Sequence, residues 1–203
     1  MSQNKSNVKC KSCGGPVKDY PDKKVVNPDF CPYCVDEQGE LLGYKEILDS
    51  MISYIKSDHP DIKKEKRVDK ANEWLREGPI WGEKFSGVII QESLKNKRIL
   101  RFVRILKKEL ADGLDPELHG GFSTWNLLHV EFFRTELDKI IEILQLDLAA
   151  KDWYADFRGN KEHYIVFKGK SFKCEIGNKD SYEKAVEYGL EMEIPKKQLD
   201  FVG

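Results

Sequence analysis

Four of the five cysteines fall within 25 residues, as Cys10-Lys-Ser-Cys13 and Cys31-Pro-Tyr-Cys34 separated by 17 residues. Thiols in such pairs do one of two kinds of chemistry. A lone Cys-x-x-Cys cycles between dithiol and disulfide. Two of them, spaced C-x2-C-x17-C-x2-C, converge on one metal ion. Each turn aims two sulfurs at a common point, and two turns complete a tetrahedron with Zn–S distances of about 2.3 Å.

The surroundings decide between the two. Cys-Pro-Tyr-Cys is the motif of glutaredoxin, whose fold needs a buried strand leading into the motif and a helix starting at it. Here the lead-in KKVVNPDF is interrupted by Pro28, and VDEQGE follows with turn chemistry. A redox dithiol also leaves the first pair unexplained. A rubredoxin-type iron site uses similar knuckles but a longer excursion between them. The expectation is therefore one zinc held by Cys10, Cys13, Cys31 and Cys34, with Gly14-Gly15 supplying the tight backbone after the first pair.

Four thiolates fill the zinc tetrahedron and leave no position for water or substrate, so the expected ion is structural. Some 35 residues with few large side chains cannot fold on a core alone. Metal binding, worth roughly 10–16 kcal/mol in small zinc peptides, supplies what is missing.

A helix is predicted from 44 to 56, where Tyr44, Ile47, Leu48, Met51, Ile52 and Ile55 share one face, with His59-Pro60 ending it. A second follows, with Val68, Ala71, Trp74 and Leu75 on one side and Gly78-Pro79 beyond its end. His59 is read as a helix-end residue, since the four-cysteine site is already complete. Seven basic and six acidic residues share 56–77, the pattern of a solvated helical face. The stretch CKSCGGPV…FCPYCVDEQGELLGYKEILDSMISYI resembles a zinc-ribbon family of prokaryotes over residues 8–81. The resemblance implies zinc binding and no further activity.

From Lys84 onward strand and helix signals alternate. FSGVIIQESL and TWNLLHVEFF (124–133) read as strands, the latter with Leu128, Val130 and Phe132 on one face and Trp125, Leu127 and His129 on the other. Thr135 is expected to cap a helix with the stripe Leu137, Ile140, Ile141, Leu144 and Leu148. WYADF, EHYIVF and SFKCEI form a meander, and a last helix is expected to stop at Gly189. Segment 97–110 fits a helix better than a strand on period alone. FSGVIIQESL, WYADF, HYIVFKGKSFK and YGLEMEIPKKQLDF resemble a family of small uncharacterised prokaryotic proteins, which implies a strand at 97–110 and carries no activity. The expected fold class is α+β, an antiparallel sheet with helices packed on one face. The expected parts are a zinc ribbon (1–40), a helical hairpin (41–80) and an α+β domain (81–203).

Other residues offer chemistry that their context argues against. Lys95 to Lys108 holds seven basic residues and no acidic one, which reads as a solvated face before a phosphate-tracking stripe. His163, on a strand face with Ile165 and Phe167, reads as a hydrogen-bonded buried histidine, and His129 similarly. Asp156 reads as a strand carboxylate, and Cys174 as a small buried hydrophobe. Gly169-Lys170-Ser171 lacks the upstream glycine of a phosphate loop. His119-Gly120-Gly121 has no Gly-x-Ser-x-Gly elbow to serve. No catalytic constellation remains.

The 203 residues carry a net charge of −1, with 34% charged and 40% hydrophobic residues. That balance argues against a wholesale polyanion or membrane binder. With no apolar run near the ~20 residues of a bilayer span and no apolar stretch at the start, a cytoplasmic location is expected. Three functions follow: a non-enzymatic zinc protein with a protein or small-molecule partner; a nucleic-acid-associated factor using 95–108, which is not favoured; and an enzyme with a site near Asp156 and His163.

Overall fold

The computed structural model describes residues 8–112, 124–149 and 152–201, and the chain divides into two compact units, 1–83 and 84–203. No helix among the described residues is long and apolar enough to cross a membrane. His119-Gly120-Gly121 lies outside the described residues.

In the first unit, short bridges Lys9↔Pro16 and Val35↔Leu41 carry the two cysteine turns. Helix α1 (Tyr44–Asp58) follows, then α2 (Arg67–Arg76). Glu46 accepts the Gly43 backbone N–H at 3.1 Å, satisfying an orphan donor at the start of α1. Of the apolar stripes read from the sequence, Ile47 and Ile55 from α1 and Ala71 and Leu75 from α2 are buried, whereas Val68 is exposed. The Tyr44 hydroxyl donates to Asn72 Oδ1 between the two helices.

The second unit is an α+β fold on one antiparallel sheet of order β2-β3-β1-β4-β5-β6. Its strands are β1 (Lys84–Ile90), β2 (Arg104–Asp112), β3 (Thr124–Phe133), β4 (Tyr154–Arg158), β5 (Glu162–Phe167) and β6 (Lys170–Glu175). Helix α3 (Leu137–Asp147) links β3 to β4, and α4 (Glu183–Glu191) follows β6. Segment 97–110 divides into a 3-10 turn (Arg98–Arg101) and β2. Thr135 lies inside a 3-10 turn that precedes α3, and its hydroxyl donates to Glu136 instead of capping the helix.

The antiparallel α+β class holds, but the two helices do not share a face. Residues Ile140, Ile143 and Leu144 of α3 pack with Phe85, Leu128, Val130, Phe157 and Val166. On the reverse side Ala185 of α4, Tyr182, Leu199 and Phe201 pack with Ile165, Phe167 and Cys174. The cause is in β5, where Ile165 and Val166 are both apolar and point to opposite faces. Each face of that part of the sheet therefore needs a cover. Helix α4 also runs through Gly189 instead of stopping there. A side chain at that position would meet Leu199 at 2.6 Å, so glycine permits a close approach inside the helix.

Candidate metal centre

The cysteine turns are built by local backbone hydrogen bonds. In the first, the Cys10 N–H donates to Gly15 O at 2.7 Å and the Gly14 N–H to Cys10 O at 2.9 Å. Gly14 takes a positive φ of 74°, the conformation the sequence anticipated there. In the second, the Cys34 N–H donates to Cys31 O at 2.9 Å, and the Lys11 N–H reaches Asp29 O at 3.0 Å to join the two turns.

These turns bring Cys10, Cys13, Cys31 and Cys34 together, with all four sulfurs within 4.8 Å of one another. Cys31 Sγ lies 3.6 Å from both Cys13 Sγ and Cys34 Sγ. A tetrahedral zinc tetrathiolate separates its sulfurs by about 3.8 Å, which follows from the Zn–S length. All four are free thiols, far outside disulfide distance. The donor set therefore fits a tetrahedral, thiophilic ion such as zinc.

Electrostatics point the same way. Hydrogen bonds from Cys13, Cys31 and Cys34 hold the Cys10 thiol far below the ordinary thiol range. The hydrogen bond to Cys10 pushes Cys13 and Cys34 far above it. Four clustered sulfurs thus compete over protons, and a divalent cation that takes them all as thiolates removes the conflict.

The cluster is part of a core and not an appendage to one. Cys10, Cys31 and Cys34 pack with Ile47 of α1, Leu75 of α2 and Trp81. Inside the first turn, buried Ser12 accepts the Trp81 indole N–H at 2.9 Å. The Tyr44 ring lies 5.1 Å from that indole. Beside the sulfurs opens a cleft of about 1360 Å³, lined among others by Cys13, Tyr20, Tyr33, Tyr54 and His59. His59 stands between Tyr54 and Trp74, with ring centroids at 5.6 and 5.1 Å, and the metal-ligating group comprises the four cysteines without it.

The remaining candidates resolve into structural roles. His163 is fully buried, with Nε2 2.7 Å from Asp156 Oδ2 and Nδ1 3.3 Å from the Tyr182 hydroxyl. One neutral tautomer satisfies all three groups, Nε2–H donating to the carboxylate and the tyrosine donating to Nδ1. Cys174, opposite His163 in the β5–β6 ladder, is buried, and desolvation pushes its thiol up. His129 lies 3.3 Å from Glu109 on a half-exposed strand face. Lys170 of the Gly169-Lys170-Ser171 stretch packs over the Phe172 and Tyr188 rings at 5.0 and 4.5 Å.

Three of the seven basic residues of the segment are held in ion pairs that the sequence did not reveal. Arg98 grips the buried Asp147 carboxylate with two bonds of 2.6 and 2.9 Å, Arg104 pairs with Glu131 at 2.7 Å, and Lys107 with Glu109 at 2.5 Å. The acids come from β3, the end of α3 and β2 itself, and only Glu109 lies close in sequence to its partner.

No protein-family model, no curated protein and no solved structure matches the chain. The family resemblances therefore rest on the quoted residues alone.

Proposed function

We propose that the chain is a zinc-binding protein without catalytic chemistry at the metal. One structural ion on Cys10, Cys13, Cys31 and Cys34 closes a zinc ribbon (1–40) against the helical segment (41–80). The α+β domain (81–203) serves to bind a partner or ligand. The observation that carries this reading is the set of four free, clustered sulfurs, three of them buried, at distances a tetrahedral ion requires. When bound, the ion supplies cross-linking only, since four thiolates complete its shell. The chain's own residues do the rest: the two turns orient the sulfurs, and Ser12, Trp81, Ile47 and Leu75 exclude water from one side.

Two observations weigh against the other readings. Phosphate tracking along 95–108 would compete with the Asp147, Glu131 and Glu109 pairings. A reaction at His163 would need an imidazole with a free nitrogen and access to substrate, and both nitrogens are engaged in the interior.

Elemental analysis of the purified protein tests the proposal. One zinc per chain is expected, and Cys10→Ser or Cys34→Ser should lose it together with the order of the first unit. A full zinc complement in both variants would overturn the assignment.

A further inference from the structure

Among the described residues, strand β2 is the outer strand on one side of the sheet. Seven of its nine residues are exposed and none is buried. Leu110 is 67% exposed, more than any other large apolar side chain among the described residues, and Leu106 is 53% exposed. The opposite edge differs. Strand β6 is shorter, and the Ser181 hydroxyl takes up the Glu175 backbone N–H at 2.9 Å and also bonds Glu175 O, so the chain that follows closes over its end. An open edge offering unpaired backbone donors and acceptors together with exposed leucines is a template for another strand.

The order of residues along β2, Arg104-Ile-Leu-Lys-Lys-Glu-Leu-Ala-Asp112, says what that strand is. Turned antiparallel on itself about Lys108, the segment is self-complementary. Lys107 faces Glu109 of the copy, twice by symmetry, and Leu106, the extra residue at the register irregularity, comes beside Leu110 of the copy. Opposite charges and apolar groups directly across a ladder are the stabilising cross-strand pairs. The Lys107–Glu109 ion pair already present within the strand becomes a ring of four charges in the dimer. The single like-charge juxtaposition, Lys108 with itself, falls on the two-fold axis, where long side chains splay into water. The register irregularity between Ile105 and Lys107 bends the strand at Leu106 and leaves Lys107–Glu109 at the centre of the regular ladder.

We infer that β2 is a homodimerisation edge: two copies of the chain join their sheets antiparallel through β2, centred on Lys108, into one continuous twelve-stranded sheet. This deepens the partner-binding half of the proposed function by naming the partner, and it does not involve the metal.

The test is sedimentation equilibrium of the full-length chain with zinc content measured on the same samples, so that a failed metal assignment and a failed dimer are read separately. The wild type is expected to dimerise, and Leu106→Glu/Leu110→Glu, which sets like charges against each other across the copies, to be monomeric at the same concentrations with its melting curve retained. Lys107→Glu alone and Glu109→Lys alone should each weaken the dimer at least tenfold, and the two together should restore it. Under mild oxidation Lys108→Cys should form a disulfide-linked dimer, whereas Arg104→Cys, distant from its own symmetry mate, should not. A wild type monomeric at all concentrations, whether or not it binds a strand from another protein, overturns the inference. So does a dimer indifferent to the charge reversals, or one cross-linked by Arg104→Cys and not by Lys108→Cys.

Discussion

Ser12 and Trp81, 69 positions apart in sequence, meet in a buried hydrogen bond from the indole N–H to the serine hydroxyl at 2.9 Å. One partner sits between two metal-site cysteines and the other lies beyond α2. The bond thus ties the first cysteine turn to the end of the helical segment. Removing either partner strands a buried polar group. Ser12→Ala is expected to destabilise the first unit by about 1–3 kcal/mol and Trp81→Phe by a similar amount or more. Denaturant titration monitored by amide exchange in residues 8–81 checks this. If Ser12→Ala leaves that exchange unchanged, the bond contributes nothing.

Metal removal should act on one unit and not the other. A strong chelator is expected to abolish amide protection around Ile47, Leu75 and Trp81, which share a core with the cysteines. Protection of β1, β3 and β5 should persist, because their cores contain no metal-site residue. Uniform loss across both units would contradict this.

His163 is predicted to matter for stability and not for turnover. His163→Ala leaves Asp156 and Tyr182 without their partner and opens a cavity, at a cost of about 3 kcal/mol or more. Tyr182→Phe should cost about 1 kcal/mol. Asp156→Asn, which retains an acceptor for Nε2–H, should be milder than Asp156→Ala. Equilibrium unfolding in urea ranks the four variants, and equal stabilities would remove the buried relay from the account.

Arg98 and Asp147 form the most consequential ion pair on the basic segment, because the carboxylate is buried while the guanidinium is half exposed. Arg98→Ala should lower the urea midpoint of the second unit, because it leaves the buried Asp147 carboxylate without its guanidinium partner. Lys97→Ala/Arg101→Ala should cost almost nothing. The same double variant should leave binding to random RNA or DNA unchanged and near background between low and moderate salt. A steep salt dependence in the wild type that these substitutions flatten would revive the nucleic-acid reading.

The sheet should weaken in acid through Glu162. Partial burial raises that carboxyl, but hydrogen bonds from Lys173 and Arg134 outweigh the effect and hold it below the usual range. A folded-state value below the unfolded one means stability that is fully present above the ordinary glutamate range. It is lost as pH falls through the folded value. Glu131, held down chiefly by its hydrogen bond with Lys84, acts in the same direction. Glu162→Gln should therefore lower stability at neutral pH and flatten its decline in acid, measured as the urea midpoint against pH.

The four-cysteine cluster was legible in the sequence because its geometry is local: each Cys-x-x-Cys turn fixes two sulfurs, and only the meeting of the turns needs tertiary structure. The strand at 124–133 and most of the helical stripes of α1 and α2 were legible for the same reason, although Trp125 joins the core of Leu128, Val130 and Phe132 and Val68 stays exposed. Segment 97–110 was legible only in part: its period suggests a helix, whereas Arg104–Asp112 is a strand paired with β3, a partner that period does not show. The two-sided cover of β5 was visible in Ile165-Val166-Phe167 but gave no indication of which helix goes where. Gly189 misled because a helix stopper was read without its tertiary neighbour Leu199, and Thr135 because a 3-10 turn, Arg134–Glu136, precedes the helix it was expected to start. Asp156 and His163 were grouped from the sequence, but Tyr182, which comes from the segment after β6, was not, since nothing local sets it against the strand.

The strand order has a consequence for synthesis. Strand β1 leads the second unit yet lies between β3 and β4, with Phe85 opposite Phe132 on one side and Gly87 opposite Phe157 on the other. A growing chain emerging from the ribosome must therefore hold β1 unpaired until β3 appears, and then keep its second edge open until β4 follows. Nascent chains halted between those points would present a raw central strand, the species on which chaperones act.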